Sequence, residues 1–255
     1  MRRELIERAF SSIFPSPVRA PGVVHGQKIN TVAQSGTTVV AFRYKDGLIM
    51  AADRKTSGGY FFIDNLEAMK IHEVAVHTGF GAAGAVAHIQ LVLHELELIN
   101  SSFRSRARHP LSVRGQVNYI SNMIRDYSLY VCPWGLEAHS LIAGIDHEGA
   151  SIYGIFVDGA VLEYPYSSVG SGSDQAIARL DQEQRQLKAG SFKEKAAIEL
   201  ALRAIRQAGL RDSGSSDLRT ALPSVAKITY KNGFEFIDED VLKPVVAGLV
   251  EELKS

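Results

Sequence analysis

Thr37 and Asp53 stand sixteen residues apart at the two ends of what reads as a single β-hairpin. Val39, Val40, Ala41, Phe42, Arg43 and Tyr44 lead into Lys45-Asp46-Gly47, and Leu48, Ile49, Met50, Ala51 and Ala52 bring the chain back. Two β-rich runs joined by Asp-Gly predict a hairpin closed by a primed turn, which returns Asp53 beside the strand start. Thr37 follows Gly36, and cutting the bond between them would leave a threonine with both a hydroxyl and a free α-amine. The hydroxyl is a weak nucleophile, and an amine on the same residue is one way to give it a base. A free α-amine has an ordinary pKa of about 8, so a nearby cation suffices to bring it into use at neutral pH. An acidic group would hold that cation in place. Taken alone, Gly36-Thr37-Thr38 also fits an ordinary strand start, since threonine is a strand former.

Rival chemistries find less support. The eight histidines show no ligand spacing on one helix face, His88 and His94 being six apart, and no metal is expected. No G-x-S-x-G elbow occurs for a Ser-His-Asp enzyme. Cys132 is the sole cysteine, which excludes a disulfide framework and a thiolate cluster. Set in the apolar Val131-Cys132-Pro133-Trp134, it reads as a buried structural thiol. Lys and Arg number 28 and Asp and Glu number 28, so a net charge of zero gives no reason to expect nucleic acid or an anionic membrane as partner. Met1 to Arg8 alternate charges where a signal peptide has an apolar core. No apolar run approaches the ~18 residues of a membrane span. The protein therefore reads as cytoplasmic.

The elements that must position Thr37 and Asp53 follow from periodicity. After the first hairpin, Tyr60–Ile63, Lys70–Val76 and Thr78–Ala83 read as strands, ended by Gly84. Ile89, Val92, Leu93, Leu96 and Ile99 share one helical stripe, and Pro110 stops that helix. Val113, Val117, Ile120, Ile124 and Tyr127 mark a second. Ser140–Tyr166 returns to strand character with turns at Asp146–Gly149 and Asp158-Gly159. Helices follow from Ser173 to about Leu187 and from Lys193 to about Leu210. A last hairpin turns at Lys231-Asn232-Gly233, and Asp238–Lys254 reads as a helix interrupted near Pro244. Strands and helices come in runs rather than in single alternation, which argues against a parallel doubly wound sheet and for antiparallel sheets with helix pairs outside. Residues 1–36 differ: a short amphipathic stretch (Leu5, Ile6, Ala9, Phe10, Ile13, Phe14) precedes Pro15, Pro17, Pro21, Gly22 and Gly26.

Five segments recur in an ordered set: Thr37-Thr38-Val39-Val40, Met50-Ala51-Ala52-Asp53-Arg54-Lys55, Ala82-Ala83-Gly84, Gly170-Ser171-Gly172-Ser173 and Arg211-Asp212-Ser213-Gly214-Ser215. Together they resemble the catalytic β-type subunits of the proteasome core particle, in the archaeal and bacterial branch, from about Gly36 to about Val241. The resemblance implies an α+β fold of four layers, αββα: two antiparallel sheets between helix layers, as in N-terminal-nucleophile hydrolases. It also implies a propeptide, 1–36, removed at the Gly36–Thr37 bond, and a single peptidase domain, 37–255. Thr37 matches the nucleophile and Asp53 the catalytic acid.

Lys70 matches the catalytic lysine by context, one residue farther from Thr37 than is usual in that family. Lys55 is its rival, because on an alternating strand it shares Asp53's face. Gly84 matches the donor of the oxyanion N–H, and Ser171, Asp212 and Ser215 match the residues around the threonine amine. After Ser215 the family often has glycines where this chain has Ser216-Asp217. By the same resemblance Ala82 and Val86 line the pocket for the side chain before the cut bond, with Thr56 and His72 nearby. Small Ala82 makes that pocket roomy and suited to large apolar side chains, unless Glu67 turns inward. The resemblance further implies seven-membered β rings capped by α-type rings, an ATPase that feeds unfolded chains, and no cofactor. A catalytically silent ring subunit and the simpler two-ring bacterial peptidase of the same superfamily are the alternatives.

Overall fold

The computed structural model describes residues 36–55, 68–131, 135–212, 215–216, 218 and 221–251. Tyr60–Ile63, Thr56, Leu66, Glu67 and Cys132 lie outside them, as does the leader up to residue 35. The first hairpin is β1 (Thr38–Tyr44) and β2 (Gly47–Ala52), in register from Val39 against Ala52 to Tyr44 against Gly47. Its turn is not a primed one. Neither Lys45 nor Asp46 has a positive φ; Gly47 takes φ +156° instead, so the glycine after the turn absorbs the unusual geometry.

Five strands make the first sheet in the order β10-β9-β2-β1-β8, where β8 is Tyr166–Gly170, β9 Ser224–Thr229 and β10 Gly233–Phe236. The second sheet runs β3-β4-β5-β6-β7: Ile71–Ala75, Thr78–Gly84, Ala138–Asp146, Gly149–Ile155 and Val161–Glu163. All the pairings are antiparallel. Helices α1 (Val86–Ala107) and α2 (Val113–Tyr130) follow β4, and α3 (Ser173–Asp181), α4 (Gln184–Ala189) and α5 (Glu194–Gly209) follow β8. Helix α6 (Glu239–Glu251) comes last.

Alternation along β1 shows why the layers stack as they do. Val40, Phe42 and Tyr44 pack with Ala201, Ile205 and Leu242 of α5 and α6, whereas Val39 and Ala41 meet Leu141, Ala143 and Ile152 of the other sheet. A third core joins Phe80, Ile142 and Tyr153 to Val92, Leu96, Ile120 and Ile124 of α1 and α2. The four-layer αββα order is therefore present. Burial on both faces also explains why β1 and β2 read as unbroken apolar runs rather than alternating ones.

Two helix expectations change. The segment after Ser173 is divided into α3 and α4 rather than continuous, and its N-cap is Gly172 with no side-chain cap from Ser173. Pro244 does not interrupt α6, which runs through it. A proline inside a helix removes one N–H bond; here Val246 and Leu249 beyond it are anchored in the core with α5, which offsets that loss.

Candidate active site

The hairpin ladder continues one step past β2: the N–H of Asp53 donates to the Thr38 carbonyl at 3.2 Å. That bond fixes the Asp53 backbone, and its side chain is fully buried. A carboxylate is costly to bury unless paired and hydrogen-bonded. Asp53 accepts from the backbone N–H of Thr38 at 2.8 Å, Lys55 at 3.1 Å and Ser216 at 3.2 Å. Its fourth partner is the Lys70 ammonium, 3.0 and 3.1 Å from the two oxygens. Lys70 is 8% exposed, at the entrance to β3. Burial pushes its pKa below the ordinary lysine value, with the Asp53 charge acting in the opposite direction. The same ammonium donates to the carbonyls of Lys55 and of Gly36, the latter at 2.9 Å.

A second group of polar residues closes on Thr37 from the end of β8 and from the segment after α5. Thr38 is paired with Gly170, whose φ is +109°, and a Cβ there would lie 1.9 Å from the Thr37 carbonyl oxygen. Glycine is what lets β8 run this close. The next residue, Ser171, accepts from the Thr37 N–H at 3.3 Å and donates to Asp212 at 2.6 Å. Ser215 donates to the same Asp212 oxygen at 2.7 Å. Gly84, at the end of β4 with φ +138°, abuts the Glu137 carbonyl, where a Cβ would be 2.0 Å from the oxygen. Ala85 donates to that carbonyl at 2.7 Å. A cavity of about 1020 Å³ is lined by Gly36, Gly84, Ser171 and Asp212, and runs along β8 towards Tyr164 and Lys188.

Thr37, Asp53, Lys70, Ser171, Asp212 and Ser215, from five separated stretches of chain, thus share one hydrogen-bonded cluster, and Gly84 lines the same cavity as Ser171 and Asp212. Lys55 enters it through its backbone. Its side chain is not set on Asp53's face by strand alternation, because β2 ends at Ala52 and residues 53–55 are not strand. The pocket residues are not gathered in the same way. Ala82 is buried in the core beneath α1 and α2, His72 is half-buried on β3, and Val86 is exposed at the first turn of α1. None of the three lines the 1020 Å³ cavity.

Sequence reasoning missed three contributors. Ser216 supplies a backbone N–H, which leaves no side-chain signal. His88 accepts the Glu137 N–H at its Nδ1, 3.0 Å away, and so ties α1 to the segment against which Gly84 rests. Thr38, passed over as a strand former, is fully buried, and its hydroxyl lies 2.7 Å from that of Ser215.

Comparison with known proteins places the chain in a family. The sequence model of the family described as Proteasome subunit matches residues 33–220. Proteasome subunit beta 2 of Nitrosopumilus maritimus is 30% identical over 212 residues, 83% of this chain and 94% of that protein. Proteasome subunit beta 1 of Pyrobaculum arsenaticum is 31% identical, over 79% of this chain and 94% of its own length. Proteasome subunit beta of Methanobrevibacter smithii is 30% identical, over 84% and 97%.

Proposed function

Because the chain belongs to the proteasome subunit family, as a β-type member, we propose that it is a threonine endopeptidase of a core particle, made as a precursor and matured by its own Thr37. The observation that carries this reading is the Lys70 ammonium, held by Asp53 and hydrogen-bonded to the Gly36 carbonyl next to Thr37.

In maturation the Thr37 hydroxyl attacks the Gly36 carbonyl carbon and the C–N bond breaks, leaving residues 1–36 as an ester on the Thr37 oxygen. Water then hydrolyses the ester, releasing Gly36 as a carboxylate and Thr37 with a free amine. The N–H that now meets Ser171 becomes that amine, which serves as base in later turnovers. Peptide substrates follow the same two steps: an acyl ester on Thr37 forms as the amine product leaves, and water releases the acid product. Lys70 supplies positive charge beside the reacting oxygen, Asp53 anchors it, and Gly84 offers its backbone N–H to the developing oxyanion. Ser171, Asp212 and Ser215 hold the amine.

By analogy with the β subunits it is similar to, the chain assembles into seven-membered rings with α-type rings outside, receives unfolded protein from an ATPase, and works in the cytoplasm. The geometry favours this over a silent ring subunit, since a buried acid–lysine pair is costly to retain without use.

Intact mass of the purified assembled protein tests the reading. The expected product begins at Thr37, and Thr37→Ala keeps residues 1–36. Processing of Thr37→Ala to the same terminus would overturn self-cleavage.

A further inference from the structure

The polar cluster falls into two halves, Asp53–Lys70 on one side and Ser171–Asp212–Ser215 on the other, and one residue, Thr38, touches both, by its backbone N–H and its hydroxyl. Thr38 gives its N–H to Asp53 at 2.8 Å, while its hydroxyl meets Ser215 at 2.7 Å. The direction of that second bond follows from proton accounting. A serine hydroxyl has one proton, and Ser215 spends it on Asp212 at 2.7 Å. Its oxygen must therefore accept, so Thr38 donates. Ser171 likewise gives its proton to Asp212 at 2.6 Å, leaving its oxygen to accept from Thr37. Both hydroxyl chains run towards Asp212, one from the Thr37 nitrogen and one from Thr38. Chains of this kind polarise one another and stiffen together when every member is satisfied.

The hydroxyl pair is closely seated. Thr38 is fully buried and Ser215 is 5% exposed. A Cβ at Gly172 would lie 2.3 Å from the Thr38 hydroxyl and 3.2 Å from that of Ser215, so the glycine beside Ser171 leaves room for them. Two anchors thus hold the stretch bearing Ser215 and Ser216: the Thr38 hydroxyl on Ser215, and the Asp53 carboxylate on the Ser216 N–H at 3.2 Å. Both converge on Thr38, the residue after the reacting threonine.

We propose that Thr38 is a positioning residue whose hydroxyl, through Ser215, holds Asp212 and Ser171 in register with the Asp53–Lys70 pair. This rests on the peptidase reading, and it adds a role for the second threonine that touches no substrate. Such a residue governs how well the amine is aimed once substrate is bound, so its loss lowers kcat and spares KM.

Thr38→Ser and Thr38→Ala both remove the γ-methyl and differ in the hydroxyl alone. With assembled protein and a fluorogenic peptide, Thr38→Ala is expected to lose roughly tenfold in kcat at unchanged KM, the scale of one buried hydrogen bond. Thr38→Ser is expected to stay near wild type. Equal kcat in the two variants overturns the proposal, whether both are active or both impaired. Should the alanine variant fail to fold, the serine variant decides: a tenfold loss there means the methyl matters and not the hydroxyl. A wild type that cleaves no peptide refutes the peptidase reading itself, which is distinct from variants that match an active wild type.

Discussion

The Lys70 ammonium sits 2.9 Å from the carbonyl oxygen of Gly36, the residue whose bond to Thr37 breaks in the proposed maturation. An ammonium has three protons, and here they meet three acceptor groups: the Asp53 carboxylate and the backbone carbonyls of Lys55 and Gly36. On the proposed maturation, the lysine holds the carbonyl under attack and adds positive charge where negative charge would develop. On the same proposal, loss of Gly36 frees that donor for the carbonyl of a substrate. One cation can serve both self-cleavage and turnover.

From this arrangement Lys70→Ala is expected to lose several orders of magnitude in peptidase rate, with slower removal of residues 1–36. Lys55→Ala keeps both backbone groups that touch the centre and is expected to retain most activity. Rates and N-terminal masses of the two variants, each checked for ring assembly, decide the matter. An inactive Lys55→Ala beside an active Lys70→Ala reverses the assignment.

Much of this centre was legible because side-chain type and order carry it: Thr37, Asp53, Ser171, Asp212 and Ser215 lie in segments whose residues are unusual together. The layer order was legible for a similar reason, since runs of strands and helix pairs leave few ways to bury β1 on both faces. What stayed hidden depends on backbone. Lys70 stood ahead of Lys55 by context alone, because alternation gives no signal for where β2 stops. Ser216 acts by its N–H, and Pro244 was read as a break because the packing of Val246 and Leu249 that offsets it is non-local. Thr38 hid in plain sight, its hydroxyl explained away by β propensity.

Burial lowers the Lys70 pKa below its ordinary 10.5, against the pull of Asp53. The ammonium is then lost as pH rises through that lowered value, so kcat/KM is expected to fall on an alkaline limb that begins below 10.5. Stability moves the other way on this account. Between the lowered pKa and about 10.4 the unfolded lysine binds more protons than the folded one, so folding gains with pH across that window. Parallel pH series of rate and melting temperature check the sign. A rate that holds flat up to 10.5 while folding is intact contradicts the assignment of the cation.

Gly170→Ala tests how tightly β8 holds Thr37. The new Cβ would meet the Thr37 carbonyl oxygen at 1.9 Å from a backbone at φ +109°. Backbone strain of this kind costs about 1–3 kcal/mol, and relief requires Thr37 or Ser171 to shift. The variant is expected to melt several degrees lower and to process its leader slowly. A fully processed, fully active variant would show that the approach of β8 is not needed.

The last expectation concerns which side chain precedes the cut. By family resemblance that side chain meets Ala82, Val86 and His72, with Thr56 outside the described residues. Ala82 packs in the core and none of these three lines the cavity, so the roomy pocket is what the resemblance implies; burying Leu or Phe in such a pocket is worth about 1.5–3 kcal/mol. His72 is the one ionisable group among them. Burial pushes its pKa below the ordinary 6.5, while Glu97 and a backbone hydrogen bond involving Met69 act in the opposite direction. At neutral pH His72 is therefore uncharged and offers no fixed positive charge to a substrate carboxylate. A Glu in that position pays the cost of desolvation without a partner. Fluorogenic peptides ending in Leu, Tyr, Arg and Glu, compared at pH 7.5 on the assembled protein, are expected to rank Leu and Tyr at least about tenfold above Glu. A preference for Arg would place Glu67 in the pocket. A preference for Glu would mean that a cation lies at its floor and would refute the assignment of these residues to it.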